Sequence, residues 1–170
     1  MIISLTFTGL LVKNWNTNGR LNLGRVKIGT LFVVGTPIGN LEDITIRALK
    51  VLENVQLIAA EDTRHTKKLL NRYEIDTPLT SFHEHNKIKK SYLLIEKLKE
   101  KDIALVSDAG MPTVSDPGQE LILQAIENGI SVIPIPGPSA VLTAMVVSGL
   151  LSDGFLFIGF LPRKGVRRKE

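Results

Sequence analysis

The chain of 170 residues has no cysteine, which excludes a disulfide framework, a thiolate metal site and a cysteine nucleophile. A cytoplasmic location is then the default expectation. Ile2 to Val12 is apolar but interrupted by Ser4, Thr6, Thr8 and Gly9, too short a run to span a bilayer. It also lacks the basic n-region and small-residue cleavage site of a signal peptide. Gly35 to Asn40, G-T-P-I-G-N, is glycine-rich yet has neither the G-K-[ST] ending of a P-loop nor a G-x-G-x-x-G dinucleotide fingerprint, which disfavours a kinase or an ordinary Rossmann dehydrogenase. No repeat has solenoid length. The net charge of +4 is a small excess, and part of it is the run Arg163, Lys164, Arg167, Arg168 and Lys169 near the end. A solvated tail explains that run as readily as an anionic partner does.

What is present is ordinary globular composition, 44% apolar and 22% charged, arranged in alternation. Residues 1–28 read as a loosely held extension, with Asn14, Asn16, Asn18 and Gly19 as a connector. From Gly29 the pattern of strand then helix repeats five times. Short apolar runs at Leu31–Val34, Leu57–Ala60, Leu79–Phe82, Ile103–Val106 and Ser131–Ile135 are each followed by a helical period. The first helix carries Ile44, Ala48, Val51 and Leu52, the second Leu69, Leu70 and Tyr73, and the third Ile88, Tyr92, Ile95 and Leu98. Pro134 points to an edge position for the last strand, and Ala140, Ala144 and Ser148 give the helix after it a small-residue face for close packing. The expected fold is α/β, a five-stranded, mostly parallel sheet with helices on both faces over 29–150. Residues 151–170 are expected to be a linker and the start of a second domain, with Phe155–Phe160 as a new strand.

In such a sheet the loops at the carboxyl ends of the strands share one rim, where ligands bind. Val106 to Gly118, V-S-D-A-G-M-P-T-V-S-D-P-G, is the most distinctive of them. Asp116, Pro117 and Gly118 suit a helix start, while Ser107 to Pro112 form a stiff polar turn. Asp62 or Thr63 suits a helix cap, which leaves Glu61, Arg64 and His65 of E-D-T-R-H-T without a structural reason. His83 and His85 alternate onto one face if their strand continues. That spacing suits a metal, but no third ligand follows at a diagnostic distance, so they rank first as polar loop residues, with Asn86 capping the next helix.

Five motifs in this order, G-T-L-F-V-V-G-T-P-I-G-N-L-E-D-I-T at Gly29–Thr45, A-E-D-T-R-H-T at Ala60–Thr66, S-F-H-E-H-N at Ser81–Asn86, the Val106–Gly118 loop and I-P-G-P-S-A at Ile135–Ala140, resemble the tetrapyrrole methylase superfamily. The likeness is closest to its branch acting on RNA of the small ribosomal subunit. It covers Gly29 to about Lys164. The resemblance implies methyl transfer from S-adenosyl-L-methionine to the 2′-hydroxyl of a cytidine ribose in 16S rRNA, with two α/β domains enclosing the cofactor and a homodimer in the full-length family. On this chain the implied first-domain share of the cofactor site is Pro37, Asp108, Gly110, Met111, Pro112, Ser139 and Ala140. Glu61, Asp62 and His83 are the candidate bases for the hydroxyl. Arg64, Lys67 and Lys68 are candidates for RNA phosphates. Transfer to a ribose hydroxyl calls for no metal, and no membrane is implied. Two other readings stay open: a metal-dependent phosphohydrolase using Glu61, Asp62, His83, His85 and Asp108, and a half-domain without activity of its own. A contiguous apolar patch near Leu150–Phe160 would favour the latter.

Overall fold

The computed structural model describes residues 28–150 and 153–160, and the backbone alone of 11–15 and 21–25. Strands β1 (Leu11–Trp15) and β2 (Leu21–Arg25) pair antiparallel in a sheet of their own. The rest of the expected extension before Ile28, and the basic run at Arg163–Lys169, lie outside the described residues. Among the described residues no helix is long and apolar enough to cross a membrane.

The main sheet has the order β5-β4-β6-β3-β7 and every pairing in it is parallel. Its strands are β3 (Thr30–Val34), β4 (Leu57–Ala60), β5 (Leu79–Ser81), β6 (Ile103–Val106) and β7 (Ser131–Ile135). Central β6 is buried throughout, as a strand covered on both faces must be. Pro134 lies on β7, an edge strand, where its missing N–H costs no ladder bond.

Alternation along the strands divides the core into two layers. Val34, Ile58, Ala104, Val106 and Ile135 meet Ala48 and Leu52 of α1 (Ile46–Asn54) and Leu69 and Leu70 of α2 (Thr63–Arg72). Leu31, Ala59, Ile103 and Leu105 meet Leu94, Ile95 and Leu98 of α3 (Lys87–Leu98) and Leu121 and Ala125 of α4 (Gln119–Glu127). Each fully buried Leu or Ile contributes about 1.5–3 kcal/mol. The chain leaves β3 toward the α1 face and leaves β6 toward the α4 face. The adjacent pair β3/β6 is therefore the topological switch point of the sheet, where a crevice opens between diverging loops.

Five expectations change. In α3 the buried face is Ser91, Leu94, Ile95 and Leu98, while Ile88 and Tyr92 are exposed; two buried leucines outweigh the alternative stripe. Asn86 occupies the cap position, but its side chain makes no cap bond and turns back to accept from His83 N at 2.9 Å. Helix α4 begins at Gln119 with Gly118 as N-cap at φ 141°, so Asp116 and Pro117 belong to the loop. A side chain on Gly118 would also meet Leu105 Cδ2 at 2.8 Å. Finally, α5 (Ala140–Val147) buries no residue through its small-residue face, and Phe155–Phe160 forms no strand. A strand needs a neighbour for its hydrogen bonds, and none lies beside it among the described residues.

Candidate functional site

Three loops are locked together over the β3/β6 crevice. Thr36 N donates to Gly110 O at 2.9 Å and Gly110 N to Thr36 O at 3.0 Å, a reciprocal bridge between the loops after β3 and β6. Thr36 Oγ1, almost fully buried, donates to Ser107 O at 3.1 Å. The loop after β7 joins through a backbone contact: a Cβ on Gly35 would stand 2.8 Å from Gly137 Cα and 2.7 Å from Met111 Sδ. Only hydrogen at both glycines permits that approach. Pro37, Gly110 and Met111 are thus gathered at one place. Pro112 is buried in the same loop, and Ser139 and Ala140 open α5 nearby in sequence, with Ser139 Oγ accepting from Leu142 N at 3.4 Å.

The loop after β4 is stitched to the same centre by carboxylates. Asp62 N donates to Asp108 Oδ1 at 3.1 Å, and Asp108 N donates to Glu61 Oε2 at 3.3 Å. Glu61 and Asp62 therefore flank Asp108, but their electrostatics are opposite. Burial raises the pKa of Glu61 above the usual carboxylate range; a backbone bond from Asp108 offsets part of the rise, and Asp116, Asp108 and Asp62 add repulsion. Asp116 is raised as well, mainly by burial and further by the charge of Asp108, with the Ser107 hydroxyl offsetting part of the rise. Asp62 is held well below the usual range by hydrogen bonds from Arg64. Its carboxylate caps α2 by accepting from Arg64 N at 2.8 Å and binds the Arg64 guanidinium at 3.0 and 2.6 Å.

His83 stands apart, beyond edge strand β5. Asn86 Nδ2 lies 3.2 Å from His83 Nε2 and also reaches Ser81, while His83 Nδ1 is buried without a hydrogen-bond partner. If Asn86 Nδ2 donates, the proton of a neutral ring sits on Nδ1. His83 and His85 meet edge to face, with ring centroids 5.9 Å apart. Among the described residues no three His, Asp or Glu side chains come together in a way that could hold a metal ion.

A cavity of about 120 Å³ opens beside Asp108. Buried Thr36, Pro37, Ser107, Thr66 and Leu69 form its inner wall. Exposed Leu41, His65 and Lys68 and half-buried Asp108 surround the opening. Tyr73 Oη donates to Leu41 O at 2.8 Å and pins this side of the loop to α2. Lys67 and Lys68 are exposed on α2 and form no ion pair among the described residues, whereas Arg64 is engaged by Asp62. Sequence reasoning missed Thr36, Leu41, Gly137 and the electrostatic share of Asp116. Thr36 is the one with a signal, a hydroxyl between the glycine and proline of a loop that must bond across to its neighbour.

Residues 30–168 match the family model described as Tetrapyrrole (Corrin/Porphyrin) Methylases. Over 143 residues the chain is 58% identical to the ribosomal RNA small subunit methyltransferase I of Halalkalibacterium halodurans, covering 84% of this chain and 50% of that protein. Over 148 residues it is 53% identical to the protein of the same name from Bacillus subtilis, covering 86% and 51%. Among solved structures, diphthine synthase superposes with a TM-score of 0.61 at 20% identity, over 72% of this chain and 50% of that one, a likeness of fold alone. The chain spans about half the length of the curated relatives it matches.

Proposed function

The chain belongs to the tetrapyrrole methylase family, and from that membership we propose that it serves S-adenosyl-L-methionine-dependent methylation of small-subunit ribosomal RNA in the cytoplasm, at the 2′-hydroxyl of a cytidine in 16S rRNA. The observation that carries the reading is the locking of three glycine- and proline-bearing loops over the β3/β6 crevice through Thr36–Gly110 and Gly35–Gly137. A sulfonium already activates its methyl group, so the protein's task is alignment. Holding donor and acceptor in line is worth several kcal/mol of barrier, on the order of 7–11 at best. Rigid turns suit that task. Pro37, Asp108, Gly110, Met111 and Pro112 are proposed to bind the cofactor there, with Ser139 and Ala140 at the start of α5.

Of the three candidate bases, Glu61 fits best. Its raised pKa makes its carboxylate more basic than an ordinary one, and Oε1 carries no hydrogen bond among the described residues. Asp62 is committed to Arg64 and the helix cap, and His83 is engaged with Asn86 at the far edge. Lys67 and Lys68 are better placed than Arg64 to meet phosphates, because among the described residues Asp62 engages Arg64 and no carboxylate engages either lysine.

The test is transfer of labelled methyl from S-adenosyl-L-methionine to small subunits that lack the modification, followed by nucleoside analysis. Label in 2′-O-methylcytidine, with a rate lowered roughly 10²- to 10⁴-fold by Glu61→Gln, is the expected result. Label on a base would refute the ribose reading. One observation favours a second reading, a half-site that binds cofactor weakly by itself: Leu142, Val146, Val147, Leu150, Leu156 and Phe160 are all exposed. In that reading 151–170 leads into a second domain, and the working form is a homodimer.

A further inference from the structure

A sulfur atom closes the contact among the loops after β3, β6 and β7. Met111 Sδ fills the space that a Gly35 side chain would take, 2.7 Å from the position of a Cβ there, against the backbone of Gly137. The chain has no cysteine and three methionines, so its oxidisable sulfur is confined to thioethers. Met1 lies outside the described residues, and Met145 sits on α5, which buries no residue. Met111 is half-buried, and exposure of this kind leaves a thioether open to a solute as small as hydrogen peroxide. The amides flanking the contact are already engaged. Gly35 N donates to Ile135 O at 3.1 Å, Thr36 N to Gly110 O at 2.9 Å and Gly110 N to Thr36 O at 3.0 Å. A thioether asks for no donor and adapts to an irregular gap, so methionine packs there without disturbing these bonds.

We propose that Met111 is a reversible oxidation site whose sulfoxide, formed by a peroxide, unlocks the three loops from one another. In the forward step a lone pair on Sδ attacks one peroxide oxygen. The O–O bond breaks, the S–O bond forms and, after proton transfer, water leaves; sulfur gives up the electron pair that the peroxide gains. In the return step a dithiol reductase removes the oxygen as water and is left as a disulfide. The sulfoxide oxygen is a strong acceptor. In this gap it either draws an amide away from the Thr36–Gly110 bridge or stays buried without a donor, and both outcomes destabilise the closed arrangement. It also adds an atom where a methyl group does not fit. The unlocking stands on this geometry alone. Its consequence, that the opened loops hold the methyl donor less tightly, rests on the methylation reading above.

The test treats the whole folded chain with hydrogen peroxide and follows each methionine by peptide mass spectrometry. Amide hydrogen exchange at Thr36 and Gly110 reads the bridge between the loops. With Met111 oxidised, exchange at both amides should quicken about tenfold to hundredfold, the effect of an overpacked contact, and methionine sulfoxide reductase should restore protection. S-adenosylhomocysteine affinity should fall by a similar factor and recover with it. Met111→Leu, whatever its own affinity, should show no response to peroxide in exchange or binding, whereas Met145→Leu should respond as the unaltered chain does. Should the Met111→Leu chain not fold, reversal by the reductase supplies the same control. Met111 left intact at a dose that oxidises free methionine overturns the proposal. Protection at Thr36 and Gly110 that survives oxidation of Met111 overturns it too, as does a loss that the reductase cannot reverse. The two readings fail separately. Loops that open on oxidation in a chain that never binds S-adenosylhomocysteine keep the oxidation site and remove the methyl donor, while binding and protection that both persist remove the oxidation site and keep the donor.

Discussion

Glu61 and Asp62 share the end of β4 and differ in which partner each carboxylate found. Burial raises Glu61, so folding favours its protonated form. Its contribution to stability is greatest below the ordinary value of 4.5 and is lost as pH rises through the folded value. Glu61→Gln should therefore raise the denaturation midpoint at neutral pH while lowering methyl transfer, and the gain should vanish in acid. A chemical-denaturation series across pH checks this, and a constant gain at every pH would contradict it. Asp62 has the opposite sign: lowered by Arg64, it stabilises above its ordinary value of 3.8 and less as pH falls below it. The same loop system stores strain. Thr113 and Ser115 adopt φ of 74° and 69°, where a Cβ costs roughly 1–2 kcal/mol. Ser115→Gly should recover about 1 kcal/mol in denaturation; no gain would mean that side-chain contacts compensate. The residue types were legible in the sequence, since E-D-T-R-H-T announced surplus chemistry. Which carboxylate stays basic was not, because that depends on the burial of Glu61 and on the Arg64 guanidinium that engages Asp62.

At the scale of elements, short apolar runs and their periods were enough to find every strand of the main sheet, and Pro134 marked the edge. Helix ends were less legible. Thr45 caps α1 by accepting from Ala48 N at 3.1 Å, and Thr45→Ala should cost about 1 kcal/mol, measured as a lower unfolding midpoint. At α4 the good cap sequence Asp116-Pro117 was overridden by Gly118, whose φ and tight contact with Leu105 set the start. The α3 stripe was misread because Ile95 and Leu98 continue two stripes, one through Ile88 and Tyr92 and one through Ser91 and Leu94, and only the packed α4 decides between them. The loop contact at Gly35 invites a direct test. Gly35→Ala drives a methyl into Gly137 and Met111 and should destabilise by about 1–3 kcal/mol, with cofactor binding lost even where the fold persists. Unchanged binding would show that the loops need not touch.

Among the described residues, α5 and the segment after it expose large apolar side chains. Val146, Val147, Leu150, Leu156, Ile158 and Phe160 are at least three-quarters exposed, the kind of surface that marks an interface. Sequence alone named Leu150–Phe160 as the place to look, and it expected a strand there because the pattern Phe155–Phe160 alternates nothing and is simply apolar. Sedimentation velocity should show association that grows with concentration, and Leu156→Glu together with Val146→Glu should suppress it. A monomer at all concentrations would contradict the interface. The central claim is that the crevice between β3 and β6 holds a methyl donor, and calorimetric titration with S-adenosylhomocysteine tests it most directly. The account predicts saturable binding by the folded chain, weakened roughly tenfold to hundredfold by Asp108→Ala, the loss expected for one hydrogen bond to a charged group. Binding that ignores Asp108→Ala, or no binding by folded protein at high ligand concentration, would contradict it.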